Sequence, residues 1–346
     1  MNRRRFCQLL AAAAGCPGAR ADDRMINLYP ADRLDREAAR FQRRVGELYQ
    51  ILAGLIAKNG SDAEARGLRR VQTRFPLADP NGSPLNFFSQ GNAVFMPVLS
   101  LLFLEDICTA YAWLDRHRYS LETIDEYCAM LQHLPASAWP GGRLPPPLEA
   151  LGVPAGAVDE PDAGQLGLRL RNSAYAFVMA HELGHVLMGH PSYDRVRVEQ
   201  ARANETAADA FALRVLEAAS EVPMGAVLYF QSAAYMLPNP GTFAARGQSE
   251  ADWEEAMRIW ITHPLNSERL KAIGVQLDER ATRTRSPTDR ETIAFVAAGV
   301  AEIAKTLADK DLQQCMAVAA HRASPSDLSP GPPGRSDLFL SKCVRR

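Results

Sequence analysis

The feature that most constrains this chain of 346 residues is an H-E-L-G-H motif at residues 181–185. The motif has the form H-E-x-x-H and lies in an apolar run, 174–188, that predicts a helix. Residues four apart on an α-helix stack on one face, so His181 and His185 can reach the same ion. Glu182 lies about 100° round the helix, close enough to act on a water held by that ion. The motif predicts a catalytic zinc site, and the alternative is two buried histidines that hydrogen-bond within a core helix.

A catalytic zinc needs a third protein ligand, and the residues just after the motif do not supply one. The pattern H-E-x-x-H-x-x-G-x-x-H is absent, because Gly189 and His190 follow His185 by four and five residues. We therefore interpret His190 as a structural residue at the helix end. Glu205, in a helix predicted over 196–219, is the better candidate for the third ligand.

Asp209 follows Glu205 by four residues, so both carboxylates are expected on one face of their helix. Asp209 can then accept the outer N–H of either motif histidine and fix its tautomer. The alternative for Glu205 and Asp209 is a salt-bridged surface pair, since charged residues at this spacing are common on exposed helices.

Apolar periodicity elsewhere predicts a mainly helical chain. The expected helices cover 32–58, 105–134, 224–236, 253–261, 266–273 and 292–307, and Asn172 or Ser173 is expected to cap the motif helix. The apolar residues 91–104 predict either a buried strand with a turn at Pro97 or the start of a helix.

Residues 135–162 contain seven prolines and four glycines, so they predict a long irregular loop. Because the loop leads into the motif helix, it either covers the active site as a flap or forms a plain surface insertion. We divide the remaining chain into a metallopeptidase domain over 22–320 and a Pro/Ser-rich tail over 321–346.

The first 21 residues have the pattern of an export signal. Arginines at 3–5 precede an apolar segment at 7–15, and Ala19-Arg20-Ala21 offers a cleavage site. The pair Arg3-Arg4 also resembles a twin-arginine signal, and Cys16 could instead be a lipidated residue. We therefore predict an exported protein that is periplasmic or held at the cell envelope by a lipid on Cys16. The sequence does not decide whether the mature N-terminus is Cys16 or the residue after Ala21.

Four cysteines follow the signal, and an exported protein can join them in disulfides. Pairing Cys108 with Cys128 and Cys315 with Cys343 is one of three arrangements, and the thiols could equally stay reduced. The net charge of −1 provides no basic field, so we expect no nucleic-acid partner. The sequence gives no indication of the oligomeric state.

These motifs together resemble the gluzincin zinc peptidases, a family that includes the CAAX prenyl endopeptidases and soluble periplasmic zinc proteases. The resemblance spans roughly Asn92 to Ile273. The similar segments are H-E-L-G-H-V-L-M-G-H at 181–190, N-E-T-A-A-D at 204–209, G-N-A-V-F-M-P at 91–97 and T-H-P-L-N-S-E-R-L at 262–270. The chain departs from the family in lacking a glycine-marked hairpin after 92–95 and in its insertion at 135–162. It has no series of membrane-length apolar segments, so we do not expect a membrane-embedded prenyl protease.

The resemblance implies an α+β, mostly helical, zincin-like metallopeptidase domain with a small edge sheet beside the active-site helix. It implies one Zn²⁺ per chain, held by His181, His185 and Glu205, with Glu182 as the general base. It also implies an edge strand that binds an extended peptide through Asn92, Ala93, Val94 and Phe95.

The Thr-His-Pro segment lies before a short predicted helix and could aim His263 into the cleft. There His263 would donate a hydrogen bond to the oxyanion; the alternative is a histidine that caps a helix or packs in the core. Arg269 could serve the same end or pair with a carboxylate to brace the turn. The sequence thus predicts a zinc endopeptidase that hydrolyses envelope or unfolded proteins, and the alternative is a non-catalytic zinc-binding chaperone or assembly factor.

Overall fold

The computed structural model describes residues 28–79, 83–134, 138, 145–192, 196–236, 249, 251–255, 266–324, 328 and 342–343. These residues form a mostly helical α+β structure with one small three-stranded sheet, which confirms the predicted fold class. No helix within these ranges combines the length and the apolar content needed to span a membrane.

The elements are named here in chain order. They are α1 (Ala31–Asn59), α2 (Asp62–Leu68), β1 (Gln72–Arg74), β2 (Phe88–Gln90), β3 (Ala93–Phe95), α3 (Val98–Arg116), α4 (Glu122–His133), α5 (Pro147–Ala150), a 3-10 turn (Ala155–Asp159), α6 (Pro161–Leu187), α7 (Val198–Ala218), α8 (Met224–Tyr235), α9 (Asn266–Arg283), α10 (Pro287–Ala308) and α11 (Lys310–Arg322).

Helix α6 carries the H-E-x-x-H motif through the centre of the fold and packs against α3, α7 and α8. Two glycines permit the close packing. A Cβ on Gly184 would lie 3.3 Å from the Cα of Ala208 in α7, and a Cβ on Gly225 in α8 would lie 2.1 Å from the carbonyl oxygen of Leu170. The backbone of α6 therefore lies almost in contact with the backbones of α7 and α8. This close packing fixes the position of the H-E-x-x-H side chains relative to those two helices.

The motif helix begins earlier than predicted, at Pro161 and not at a cap on Asn172 or Ser173. Proline fits the first turn of a helix because it has no N–H to leave unpaired. Ser173 instead lies inside α6, where its Oγ donates to the carbonyl of Val222 and accepts from the N–H of Gly225. The predicted loop at 135–162 contains α5 and the 3-10 turn in its described part, so that part is not irregular throughout.

The predicted helix over 105–134 is two helices, α3 and α4, and α3 begins at Val98 directly after Pro97. The segment 91–104 therefore contains both predicted alternatives, a strand and a helix start. The break after α3 places Arg118 at a φ of 60°, a left-handed conformation usually taken by glycine. Because arginine gives no such signal, the sequence did not mark this boundary.

The sheet has the order β1-β3-β2, so β3 is the central strand. The prediction of an edge strand at 92–95 is wrong, because β1 pairs with β3 in parallel on one side and β2 pairs with it in antiparallel on the other. The parallel partner lies some twenty residues earlier in the chain, and no local pattern announces that pairing. The strand at the edge next to α6 is β2.

At the C-terminal side, α9 and α10 form a closely packed pair, and both extend beyond their predicted bounds. Helix α11 follows and carries Cys315, which forms a disulfide with Cys343. Cys108 and Cys128 are buried free thiols, so only one bond of the considered pairing is present. Of the predicted helix over 253–261, residues 256–261 lie outside the described ranges.

Candidate metal centre

The Nε2 atoms of the two motif histidines face the same point in space. His181 and His185 are nine-tenths buried on one face of α6, and their Nε2 atoms are 3.1 Å apart. Helix α7 brings Glu205 to the same place, with Oε2 at 3.4 Å from Nε2 of His181 and Oε1 at 3.3 Å from Nε2 of His185. Tetrahedral zinc ligands at about 2.0–2.1 Å from the ion lie roughly 3.3–3.4 Å apart. The three side chains therefore have the spacing of a metal-ligand set.

The charges of the centre also fit a divalent cation. Glu182, Glu205 and Asp209 are buried carboxylates, and Arg269 is the buried guanidinium beside them. With the three carboxylates ionised and both imidazoles neutral, as metal binding requires, three negative charges against one positive charge leave a charge of −2. Buried charge must be compensated, and a divalent ion bound to neutral imidazoles would compensate it.

His181 experiences this negative field directly. Burial alone lowers the pKa of a histidine, but hydrogen bonds with Asp209 and Glu205 outweigh burial and raise the pKa of His181 to about 10. The same carboxylates that favour a proton at this ring would favour a metal cation at its Nε2 atom. A metal ligand must be the neutral imidazole, so metal binding here displaces a proton.

Asp209 and Arg269 form a hydrogen-bonded chain that ends on the predicted ligand His181. Oδ1 of Asp209 is 2.9 Å from Nδ1 of His181, as expected of an acceptor that fixes the tautomer. Arg269 donates to both Asp209 oxygens, from Nε at 2.7 Å and from Nη2 at 2.6 Å. Burial raises the pKa of Asp209, but Arg269 and His181 more than offset this and hold it below its ordinary value. Arg269 also stacks on Phe230 of α8, with Cζ 4.3 Å from the ring centroid.

His190 also contacts a predicted ligand, a contact the sequence did not predict. Its Nδ1 lies 2.9 Å from Nδ1 of His185, and the two rings are 4.9 Å apart between centroids. The ring is half-buried, and desolvation together with the neighbouring His185 lowers its pKa. Two sequence features could have indicated this contact: the five-residue spacing between His185 and His190, and the glycine at position 189 between them.

The cleft in front of these residues has a volume of about 540 Å³. Glu182 lies in its wall, with Oε1 4.0 Å from Nε2 of His181, and β2 forms another wall. The cleft is lined by Asn86, Phe87, Phe88, Ser89, Gln90, Gly91, Glu182, His185, Val186, His190, Pro191, Ser192 and Glu205. Glu182, the candidate general base, and the β2 strand therefore line the same cleft.

The four predicted substrate-binding residues at 92–95 are not in this lining. Asn92 donates its side-chain N–H to the carbonyl of Arg70 at 2.7 Å, which ties β3 to the segment before β1. Ala93 and Val94 are buried in the sheet, and the Phe95 ring stacks on Phe88 at 4.6 Å between centroids. The structure therefore places these residues behind β2, where they support the cleft wall.

His263 lies outside the described residues, as do the threonine and proline beside it. Among the described residues, Tyr229 of α8 is a polar group near the centre that the sequence did not single out. Its ring packs on Phe87 of the cleft wall, with centroids 6.1 Å apart, and its hydroxyl lies 3.5 Å from the carbonyl oxygen of Leu85. Burial raises the pKa of the Tyr229 phenol; Arg269 opposes the increase and Glu182 adds to it, so the charges of the centre act on this hydroxyl.

Residues 166–240 match a family model, Peptidase_M78, described as the IrrE N-terminal-like domain. The matched segment contains both motif histidines, Glu182, Glu205 and Asp209, and it covers less than a quarter of the chain. Comparisons with curated proteins and with solved structures gave no match. The family match supports a zinc metallopeptidase-like domain around the motif, and the finer likeness to CAAX prenyl endopeptidases stays a prediction.

Proposed function

We propose that this protein is a zinc-dependent endopeptidase. The observation that carries the proposal is the position of Glu205, whose carboxylate lies 3.3–3.4 Å from both motif Nε2 atoms although it is twenty residues from His185. That arrangement is the His₂Glu ligand set of catalytic zinc sites, which leaves a fourth position open. The open side faces the cleft that Glu182 lines.

Zinc held by His181, His185 and Glu205 would supply a Lewis acid that acidifies a water and polarises the scissile carbonyl. Glu182 takes the proton of the attacking water and passes it to the leaving amine. Asp209 holds the His181 ring in the tautomer that leaves Nε2 free. Arg269 keeps Asp209 ionised and in place, because it donates to both of its oxygens.

The developing oxyanion needs a donor on the side of the cleft opposite the ligands. We propose Tyr229 for this position, since the residue is half-buried on α8 and its ring packs on Phe87 of the cleft wall. His263 remains the second candidate from the sequence, at the turn before α9.

The proposed substrate is an extended peptide that adds to β2. Within the described ranges β2 pairs on one side only, with β3, and residues 88–90 line the cleft. A strand edge binds a peptide through backbone hydrogen bonds, so peptides of many different sequences can bind. Such tolerance suits an enzyme that acts on unfolded or envelope proteins. We place this activity outside the cytoplasm, at the periplasm or cell envelope, because of the predicted export signal.

The test compares the purified wild type with Glu182→Gln on an unfolded casein substrate. We expect zinc to stay bound in the variant and hydrolysis to be lost, because Glu182 is a base and not a ligand. The comparison also tests the rival function of a zinc-binding chaperone or assembly factor. Equal hydrolysis by the two proteins, or none by zinc-loaded wild type, would leave the binding function as the better account.

A further inference from the structure

We infer that His190 is a positioning residue for the metal centre. It accepts the Nδ1–H of His185 and so keeps the Nε2 lone pair of that histidine directed at the metal. The inference rests on the proposed zinc site and extends it to a residue that the H-E-x-x-H motif does not contain.

The backbone at the end of α6 places His190 at this position. Gly189 has a φ of +67°, and the chain there makes two hydrogen bonds back into the helix. The N–H of Gly189 donates to the carbonyl of Val186 at 3.2 Å, and the N–H of His190 donates to the carbonyl of His185 at 3.0 Å. These two bonds form a Schellman motif, which reverses the chain over the last turn of a helix. The turn places the ring of residue 190 beside the ring of residue 185.

The direction of the hydrogen bond follows from the ligand geometry. Nε2 of His185 faces Nε2 of His181 at 3.1 Å and Oε1 of Glu205 at 3.3 Å, so this nitrogen must carry the lone pair if a metal binds. A neutral imidazole has one N–H, which then lies on Nδ1 and donates. The partner at 2.9 Å is Nδ1 of His190, so His190 accepts there and carries its own proton on Nε2.

The two ligand histidines thus have different supports, an anionic one on His181 and a neutral one on His185. The difference fits the charge of the centre. A carboxylate in place of His190 would add a further negative charge to a group that already carries −2 when both imidazoles are neutral, the form that metal binding requires. A neutral acceptor orients the ring and leaves the charge matched to a divalent ion.

The experiment measures zinc affinity by competition with a chelator for the wild type, His190→Ala and His190→Gln. We expect His190→Ala to weaken zinc binding by about 10–100-fold, the usual effect of losing a residue that supports a metal ligand. The Gln variant keeps an acceptor oxygen and should recover most of the affinity. His321→Ala, which removes a surface histidine on α11, is the matched control and should bind zinc as the wild type does.

A second pair of variants tests the turn itself. Nothing lies within 4 Å of a Cβ built on Gly189, so a substitution there acts through its backbone conformation. Asn tolerates a positive φ and Val does not, so Gly189→Val should weaken zinc binding and Gly189→Asn should not. Cobalt-substituted protein provides an independent measure, because its visible spectrum should change in His190→Ala and be restored in His190→Gln.

The outcomes separate the two proposals. Wild-type protein that binds no zinc at the His181–His185–Glu205 set would refute both the proposed function and the role of His190. Wild-type protein that binds zinc, together with a His190→Ala variant of unchanged affinity and unchanged cobalt spectrum, would overturn the role of His190 alone. A loss in His190→Ala that His190→Gln fails to restore would also overturn it, because the acceptor would not be the property that matters.

Discussion

At the scale of single residues, the site depends on a fully buried carboxylate, Glu205, held between two imidazoles. Such a group is unfavourable inside a protein unless cations or hydrogen-bond donors surround it. Arg269 supplies part of that compensation, with Nη1 3.5 Å from Oε2. A bound metal would supply the rest, so the role of Glu205 is best tested through metal content.

We expect purified wild-type protein to carry about one zinc per chain and Glu205→Gln to lose most of it, since a neutral amide is a poor zinc ligand. Metal analysis after gel filtration measures the content. Glu182→Gln is the matched control, because it changes a neighbouring buried carboxylate outside the ligand set and should retain the metal. Full zinc retention in Glu205→Gln would move the third ligand elsewhere.

The oxyanion donor is the second question at this scale. If His263 stabilises the transition state, His263→Ala should lower kcat by about 10²–10³ while zinc content and Tm stay unchanged. Tyr229→Phe removes only a hydroxyl and should show the same pattern if that hydroxyl is the donor. A variant that loses stability before activity would instead mark its residue as structural. A stable, zinc-loaded and fully active variant would exclude its residue from both roles.

At the scale of elements, the site requires α6 to pack closely against α7 and α8. The backbone of α8 at Gly225 meets α6 so closely that a Cβ would lie 2.3 Å from the N atom of Ala174. Helix α8 also carries Tyr229 and the Phe230 ring under Arg269. Displacement of α8 would therefore disturb both the fold and the support of Asp209.

We expect Gly225→Ala to destabilise the protein by about 1–3 kcal/mol, since overpacking forces the two helices apart. Gly54→Ala on α1 is the matched control, because no atom lies within 4 Å of a Cβ there. That change should be neutral or stabilising by up to about 1 kcal/mol, as alanine restricts the unfolded chain more than glycine does. Urea unfolding of both variants measures the difference, and equal stabilities would contradict the packing argument.

At the scale of the whole molecule, a buried acid links stability to pH. Burial raises the pKa of Asp106 to about 7, although its hydrogen bond from Tyr29 at 2.8 Å and the charge of Arg33 act against the increase. The unfolded carboxyl titrates near its ordinary value of about 4. Between these two values the folded state binds more protons than the unfolded state, so stability falls as pH rises from about 4 to about 7.

We therefore expect the wild type to lose stability between pH 5 and pH 8, and Asp106→Asn to lose about 2–3 kcal/mol less over that interval. The asparagine keeps an oxygen that can accept from Tyr29, so the variant tests the charge and not the contact. Urea unfolding of the metal-free protein at the two pH values measures the slope. Parallel slopes in wild type and variant would show that Asp106 titrates in its ordinary range.

Export is also a prediction for the whole molecule. We expect the mature protein to begin at Cys16 with a lipid attached, or after Ala21 without one. Mass spectrometry of cell-envelope material distinguishes these two ends. A cytoplasmic protein that retains Met1 would contradict both.

The sequence by itself determined the local part of the site. Residues four apart on a helix share a face, so H-E-x-x-H placed two imidazoles together, and the spacing of Glu205 and Asp209 placed two carboxylates together. The same periodicity gave the position of α1 and α8 to within a residue or two at each end. These predictions succeeded because each depends only on the geometry of one continuous helix.

Tertiary structure decided what depends on distant segments. It brought Arg269 onto Asp209 from sixty residues away, and it made β3 central by pairing it with β1. It also set the His190 ring against His185 through a turn that requires a positive φ at Gly189. The sequence contains these residues, but their contacts form only when α6, α7, α8 and α9 pack, because packing and not periodicity determines which surfaces meet.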